Sequence, residues 1–285
     1  MNRPRTLQIF LPNGDPSSLR VAEQTTSIMR LIEAPRRDLA AFLELDESKQ
    51  VGVYFLIIGE NKDHLYIGQS GEVGKRLMRH HQEDKKDWDR ALVLVSLTQN
   101  LTQTHALYLE SLSIEKAKAC GRYELTNGNQ GQAPHTPIPL KADCEEMHEI
   151  GRLLLTTLGY PVFEPLSEPN KTDDEVVFYC TRAGVEGRGL YTNEGMVVLK
   201  GSKSPAKTDR KTEPRLVELR RELLEKGVLS QQGDSLVFER DYLCKTPSGA
   251  SCLLLQAASN GWTDWKTEQG ITLHDHQGRD LGEQA

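Results

Sequence analysis

No apolar run in the 285-residue chain approaches the ~20 consecutive residues that cross a bilayer. The first residues, MNRPRTLQIFLPNG, hold one brief apolar patch before Pro12 and Gly14, too short for the core of a secretory signal. Cysteine is scarce: five residues, an odd number with no Cys-x-x-Cys spacing, argue against a disulfide framework, and a reducing cytoplasm is the expected home. An excess of positive charge is missing too. The formal net charge of −6 argues against loose, charge-driven coating of nucleic acid. It leaves room for a local basic groove, because phosphates respond to nearby charge rather than to a chain total.

What is present is an ordinary globular composition, 37% hydrophobic and 27% charged, in a chain long enough for two domains. There is no internal repeat. Residues 1–50 read as an N-terminal extension with one strand at Thr6–Leu11 and a short helix at Arg37–Leu45. Residues 51–165 read as a hairpin, a helix, a strand (Ala91–Leu97), a helix (Gln103–Cys120), a Gly/Asn/Pro-rich loop (Thr126–Pro139) and a helix (Ala142–Leu158). Residues 166–285 form a second α+β domain: a Gly-punctuated β-meander, a helix from Pro214 to Lys226, a strand pair near Leu236–Phe238 and a helix or loop at Ser248–Ser259. Within it Lys200–Arg215 carries six Lys or Arg against two acids and reads as a flexible basic loop. The fold class expected is α+β.

The stretch VGVYFLIIGENKDHLYIGQS reads as a hairpin with a tyrosine in each strand, so Tyr54 and Tyr66 can share a sheet face. Two core aromatics would be the plain explanation. The helix that follows adds Arg76 and His80, four apart on one face. Arginine supplies a planar fork for phosphate, and histidine a donor or proton carrier. Glu110 falls within or beside the apolar stripe of Ala106, Leu107, Leu109, Ile114 and Ala117. An inward carboxylate needs a cation, a metal or hydrogen bonds. A salt bridge to a nearby Arg and a role as metal ligand are both open. Together the groups suit phosphodiester hydrolysis with a hard cation such as Mg²⁺, or Mn²⁺ in its place.

The ordered set GVYFL, LYIGQS, GKRLMRHH and YLESL resembles the GIY-YIG endonuclease family over roughly residues 50–130. The second motif is intact as Tyr66-Ile67-Gly68. The first reads Gly52-Val53-Tyr54, with valine for isoleucine. The resemblance implies a small antiparallel three-stranded sheet flanked by helices, with one divalent metal. It implies Tyr54 and Tyr66 as phenols near the attacking water, with Tyr54 favoured as base. It further implies Arg76 on the phosphate, His80 one turn later, Glu110 as metal ligand and Asn127, or alternatively Asn129, after the Glu helix. Lys75 and Arg79 would add nucleic-acid contacts.

The C-terminal part resembles an uncharacterised domain that accompanies bacterial GIY-YIG nucleases, and its NGWTDW tail resembles domains associated with restriction enzymes and adenine methylases. Lys203, Lys207, Arg210 and Lys211 of the basic loop would follow a phosphate backbone while Trp262 or Trp265 stacks on a base. Both tryptophans could instead be core. Zinc at Cys120, His135, Cys144 and His148 is disfavoured, because their spacing fits no compact finger. The expected activity is metal-dependent cleavage of DNA, with RNA open, in phage defence, restriction or mobile-element biology. The chain would have no membrane partner and would act with a protein partner or as a homo-oligomer. The alternative is a catalytically weak binding or sensing module within a larger complex.

Overall fold

Three strands, not one, come from the first 50 residues: β1 (Leu7–Phe10), β2 (Arg20–Gln24) and β3 (Met29–Pro35). A 3-10 turn at Arg36–Asp38 leads into the short helix α1 (Leu39–Leu43). Then come the hairpin β4 (Gly52–Ile58) and β5 (His64–Ser70), helix α2 (Val73–Glu83), strand β6 (Trp88–Ser96), helix α3 (Gln103–Cys120), the two-residue β7 (Glu124–Leu125) and helix α4 (Ile138–Thr157). The computed structural model describes residues 4–59, 63–83, 87–128, 135–166, 176–207 and 213–282. It divides into two compact units, Met1–Pro165 and Leu166–Ala285, both of mixed α and β structure.

The sheet of the first unit runs β1-β2-β3-β6-β4-β5-β7. The antiparallel trio β6-β4-β5 lies inside it, and β3 pairs with β6 from Met29–Ser96 to Pro35–Arg90. So the N-terminal segment is part of the same sheet rather than an extension beside it. Period-2 alternation divides the apolar residues between two faces. Tyr54, Leu56, Ala91, Val93 and Val95 pack with α1 and α2 through Leu39, Phe42, Val73 and Leu77. Val53, Phe55, Ile57, Leu65, Ile67 and Leu92 pack with α3 and α4 through Ala106, Leu109, Cys144, Leu154 and Leu155. The helix α3 starts at a capping box, Thr102 with His105, and stops at Gly121 in the left-handed region (φ 61).

One carboxylate is wholly buried in this sheet. Glu33 of β3, 0% exposed, accepts hydrogen bonds from Arg20 of β2, Arg90 of β6 and the Tyr160 hydroxyl (2.9 Å). Cations and donors from three other segments neutralise it, as a buried charge requires.

In the second unit β8 (Val177–Cys180), β9 (Gly187–Thr192) and β10 (Gly195–Val198) form the expected meander. The strand β11 (Lys203–Pro205) follows, then α5 (Pro214–Glu225), β12 (Leu229–Gln232), β13 (Ser235–Phe238) and β14 (Tyr242–Cys244). Helices α6 (Pro247–Leu255), α7 (Gly261–Asp264) and α8 (Leu273–Gly282) end the chain's described part. The sheets are ordered β14-β10-β9-β8 and β11-β13-β12. The stretch 200–215 is thus not loop throughout: β11 pairs with β13, and Ser204 is buried between exposed Lys203 and half-buried Pro205. The buried Arg220 reaches over from α5 and donates to the carbonyls of Pro205 and Leu253. Among the described residues no helix is long and apolar enough to cross a membrane.

Candidate functional site

The hairpin register puts Tyr54 opposite Gly68 and Tyr66 opposite Leu56, so both phenols rise from the α2-facing side of the sheet. Their ring centroids are 6.2 Å apart. Helix α2 lies over them because Val73 and Leu77 bury against the same face. One turn apart on that helix, Arg76 and His80 then meet the phenols. Arg76 Nε donates to Tyr54 Oη at 3.2 Å, and His80 Nε2 shares a 3.0 Å hydrogen bond with the same oxygen. The His80 ring sits 5.6 Å from the Tyr54 ring and 5.5 Å from that of Tyr66.

The two tyrosines differ in access. Tyr54 is 1% exposed, and burial holds its proton well above the ordinary phenol range despite the opposing Arg76 hydrogen bond. At neutral pH it is a protonated phenol locked between two partners. Tyr66 is half-buried and also bonds Arg76. The hydrogen bond to Tyr54, the larger influence, raises Arg76's hold on its own proton.

Glu110 reaches the cluster from the other side of β5. Alternate residues of an antiparallel strand turn their N–H and C=O away from the partner. In β5 those of Leu65, Ile67 and Gln69 face outward, and the carbonyl of Asp63 just before the strand does the same. Asp63 and Leu65 carbonyls accept from Glu124 and Thr126 N–H, at 2.8 and 2.9 Å. The Asn127 side chain accepts from Ile67 N–H at 3.0 Å and donates to Ile67 O at 2.7 Å, acting as one more rung of β7. The Gln69 N–H faces the Glu110 carboxylate and favours its charged form. Burial raises the Glu110 pKa, opposed by that N–H and by the nearby Arg76. Glu110 is half-buried rather than turned out to water.

Tyr54, Tyr66, Arg76, His80 and Glu110 are therefore brought together. Asn127 stands beside them with both ends of its amide engaged by Ile67. Asn129 lies outside the described residues. Lys75 is exposed and paired with Glu72 at 2.7 Å, and Arg79 is exposed. Lys203 is exposed on β11 and paired with Glu186 at 3.0 Å. Lys207 is exposed, whereas Arg210 and Lys211 lie outside the described residues.

Among the described residues no group of three or more His, Cys, Asp or Glu gathers in a way that could hold a metal ion. A hard cation that keeps most of its waters needs only one or two carboxylates. Glu110 suits that demand: its desolvated carboxylate has the Gln69 N–H and the Arg76 guanidinium to offset its charge, and an added cation would complete the balance.

Three residues have roles the sequence reading missed. Gly68 leaves the space that the phenol end of Tyr54 fills, since a Cβ there would collide with Tyr54 Oη and Cζ. Gln69 and Gln103 hydrogen-bond side chain to side chain, tying the start of α3 to β5. The signal for Gly68 was within reach: in a hairpin joined through Glu60–His64, the glycine of Tyr-Ile-Gly faces the first tyrosine.

In the second unit Trp265 is 0% exposed, and its indole N–H donates to Pro247 O at 3.0 Å. It is a core residue, which removes it as a base-stacking platform. Trp262 is partly exposed, edge-to-face with Tyr191 at 5.7 Å. The backbone comes close at two glycines here: a Cβ on Gly189 would crowd the Trp265 ring at 3.2 Å, and one on Gly261 would collide with the Pro247 backbone. Residues 178–277 match the DUF4357 family model, a domain of unknown function. The DUF4357 region thus takes in β9, β10, both sheets' pairing partners and the two C-terminal tryptophans, Trp262 and Trp265. No curated protein matches the chain, and no solved structure matches it.

Proposed function

We propose that the first unit is a GIY-YIG-type endonuclease that hydrolyses phosphodiester bonds in DNA. The observation that carries this reading is the convergence of Arg76, two phenols and His80 with one desolvated carboxylate, Glu110, at the edge of β5. Glu110 would hold a divalent cation, Mg²⁺ or Mn²⁺, which supplies Lewis acidity at the scissile phosphate when bound.

The chain's own groups divide the remaining work. Arg76, held by Tyr54, offers its outer nitrogens to the phosphate oxygens, where charge grows in the transition state. Tyr66, the more accessible phenol, meets the attacking water. Tyr54 is held from two sides: its oxygen accepts from Arg76 and shares a hydrogen bond with His80 Nε2, so it sets the positions of both. This inverts the weight given to the two tyrosines from sequence, because burial removes Tyr54 from solvent and keeps its proton in place. The DUF4357 region would select substrate, with Trp262 and Lys207 on its surface.

The test is a cleavage panel on supercoiled, linear and single-stranded DNA and on RNA, in Mg²⁺ or Mn²⁺ and in EDTA. Cutting that needs metal and is lost in Glu110→Ala supports the reading. No cutting of any substrate, or equal cutting by Glu110→Ala, sinks it.

A further inference from the structure

Gln69 meets one face of α3 in two ways. Its side chain is hydrogen-bonded by Gln103, the first residue of the helix, and its backbone N–H faces the carboxylate of Glu110, seven residues on. Positions seven apart stack almost in line on a helix, two turns and ~10 Å along the axis. The helix therefore spans Gln69, hydrogen-bonded to it near the helix start and with the carboxylate facing its N–H two turns on. The preceding outward groups of this strand edge are closed by β7 and Asn127. Gly71 gives the Gln103 side chain room: a Cβ on it would stand 3.3 Å from Gln103 Oε1.

We propose that Gln103 is a positioning residue, which by clamping the Gln69 side chain fixes where the Glu110 carboxylate stands. Its value for catalysis rests on the endonuclease reading; the clamp itself does not. The buried stripe of α3, Ala106, Leu109, Ser113, Ile114 and Ala117, fixes the helix against the sheet through apolar packing, which is not directional and leaves its roll and register less tightly defined than a hydrogen bond would. The Gln103–Gln69 bond adds a directional tie between α3 and β5 at the start of the helix. Gln103 is exposed and Gln69 half-buried, so neither side chain is needed to fill the core.

The experiment is amide hydrogen exchange on the full chain, wild type against Gln103→Met, Gln69→Met and the double variant, read at the residue-69 amide and at interior amides of β6. Each single change should speed exchange at residue 69 by roughly three- to tenfold, the worth of one neutral hydrogen bond. The double variant should be no faster than either single, since one bond is lost in each case. The β6 amides should not move. Unchanged exchange at residue 69, or single effects that multiply in the double variant, overturns the clamp. Cleavage is read in parallel and should fall by a similar, non-additive factor. A wild-type protein that cuts nothing, yet shows the exchange pattern, ends the endonuclease reading and leaves the clamp supported.

Discussion

The phenol end of Tyr54 occupies the space that a side chain on Gly68, its pairing partner in the hairpin, would need. Glycine there is a steric requirement of the tyrosine rather than of the backbone. Ala at position 68 would push the ring off its place and with it Arg76 and His80. Gly68→Ala should keep the sheet but lower cleavage by about 10²-fold, the usual cost of moving a reacting group by an ångström. Circular dichroism alongside a plasmid assay checks it; full activity would show that the ring can give way without consequence.

The two tyrosines should separate in their effects. Tyr54→Phe strips a partner from both Arg76 and His80 in a buried site and should cost about 1–3 kcal/mol of stability as well as activity. Tyr66→Phe should leave stability within ~0.5 kcal/mol while cleavage falls by roughly 10²–10⁴. Urea denaturation and single-turnover rates on both variants decide it, and the reverse ranking would reassign the water-facing role to Tyr54.

His148 is buried on α4, its Nε2 has no hydrogen-bond partner, and its ring lies 4.4 Å from that of Phe163. Burial depresses its pKa to about 4. The unfolded chain therefore takes up a proton near pH 6.5 that the folded chain refuses until about pH 4. Stability should fall as pH drops through that window, by an amount on the order of 1–3 kcal/mol. His148→Phe should flatten this slope and cost little at pH 7, where no partner is lost. Denaturant midpoints from pH 7 to pH 4 give the answer.

Glu33→Ala leaves Arg20, Arg90 and the Tyr160 hydroxyl without their shared acceptor, two of them cations in or near the sheet. A loss of about 3–5 kcal/mol is expected. Glu33→Gln, which keeps an acceptor, should lose less. Thermal or urea denaturation measures both.

In the second unit the tryptophans should part in the same way. Trp265→Ala opens a large cavity and should cost about 3–5 kcal/mol. Trp262→Ala should be mild in stability but weaken single-stranded DNA binding by about tenfold, if its ring takes a base. Fluorescence anisotropy with a short oligonucleotide reads the second effect.

Local patterning made much of the architecture legible. The helix at Gln103–Cys120 was readable end to end from its stripe of Ala106, Leu109, Ile114 and Ala117. The tyrosine hairpin and the α2 face that meets it followed from periods of 2 and 3.6. What escaped was set by distance along the chain. The strand Met29–Pro35 has Glu33 near its middle, which reads as an interruption, because the residues that neutralise it lie 13, 57 and 127 positions away. The strand Lys203–Pro205 was hidden in a basic run; its ladder partners are 30 to 34 residues further on. The burial of Tyr54 relative to Tyr66 depends on how α2 settles on the sheet, and no short window of sequence carries that. The role of Gln69 was invisible for a similar reason, since it is the meeting point of a strand edge with two turns of a helix.

The ladder between β3 and β6 has a practical result for anyone cutting the gene. A fragment trimmed to the motif region, starting near residue 51, would strip one whole side of β6 of its seven pairing positions. The bared margin would carry Leu92, Val93 and Leu94 in a stretch with high β-forming tendency, an invitation to self-association. Such a fragment would precipitate or stick to copies of itself for reasons unrelated to its chemistry, and an inert preparation of it would say nothing about the intact polypeptide.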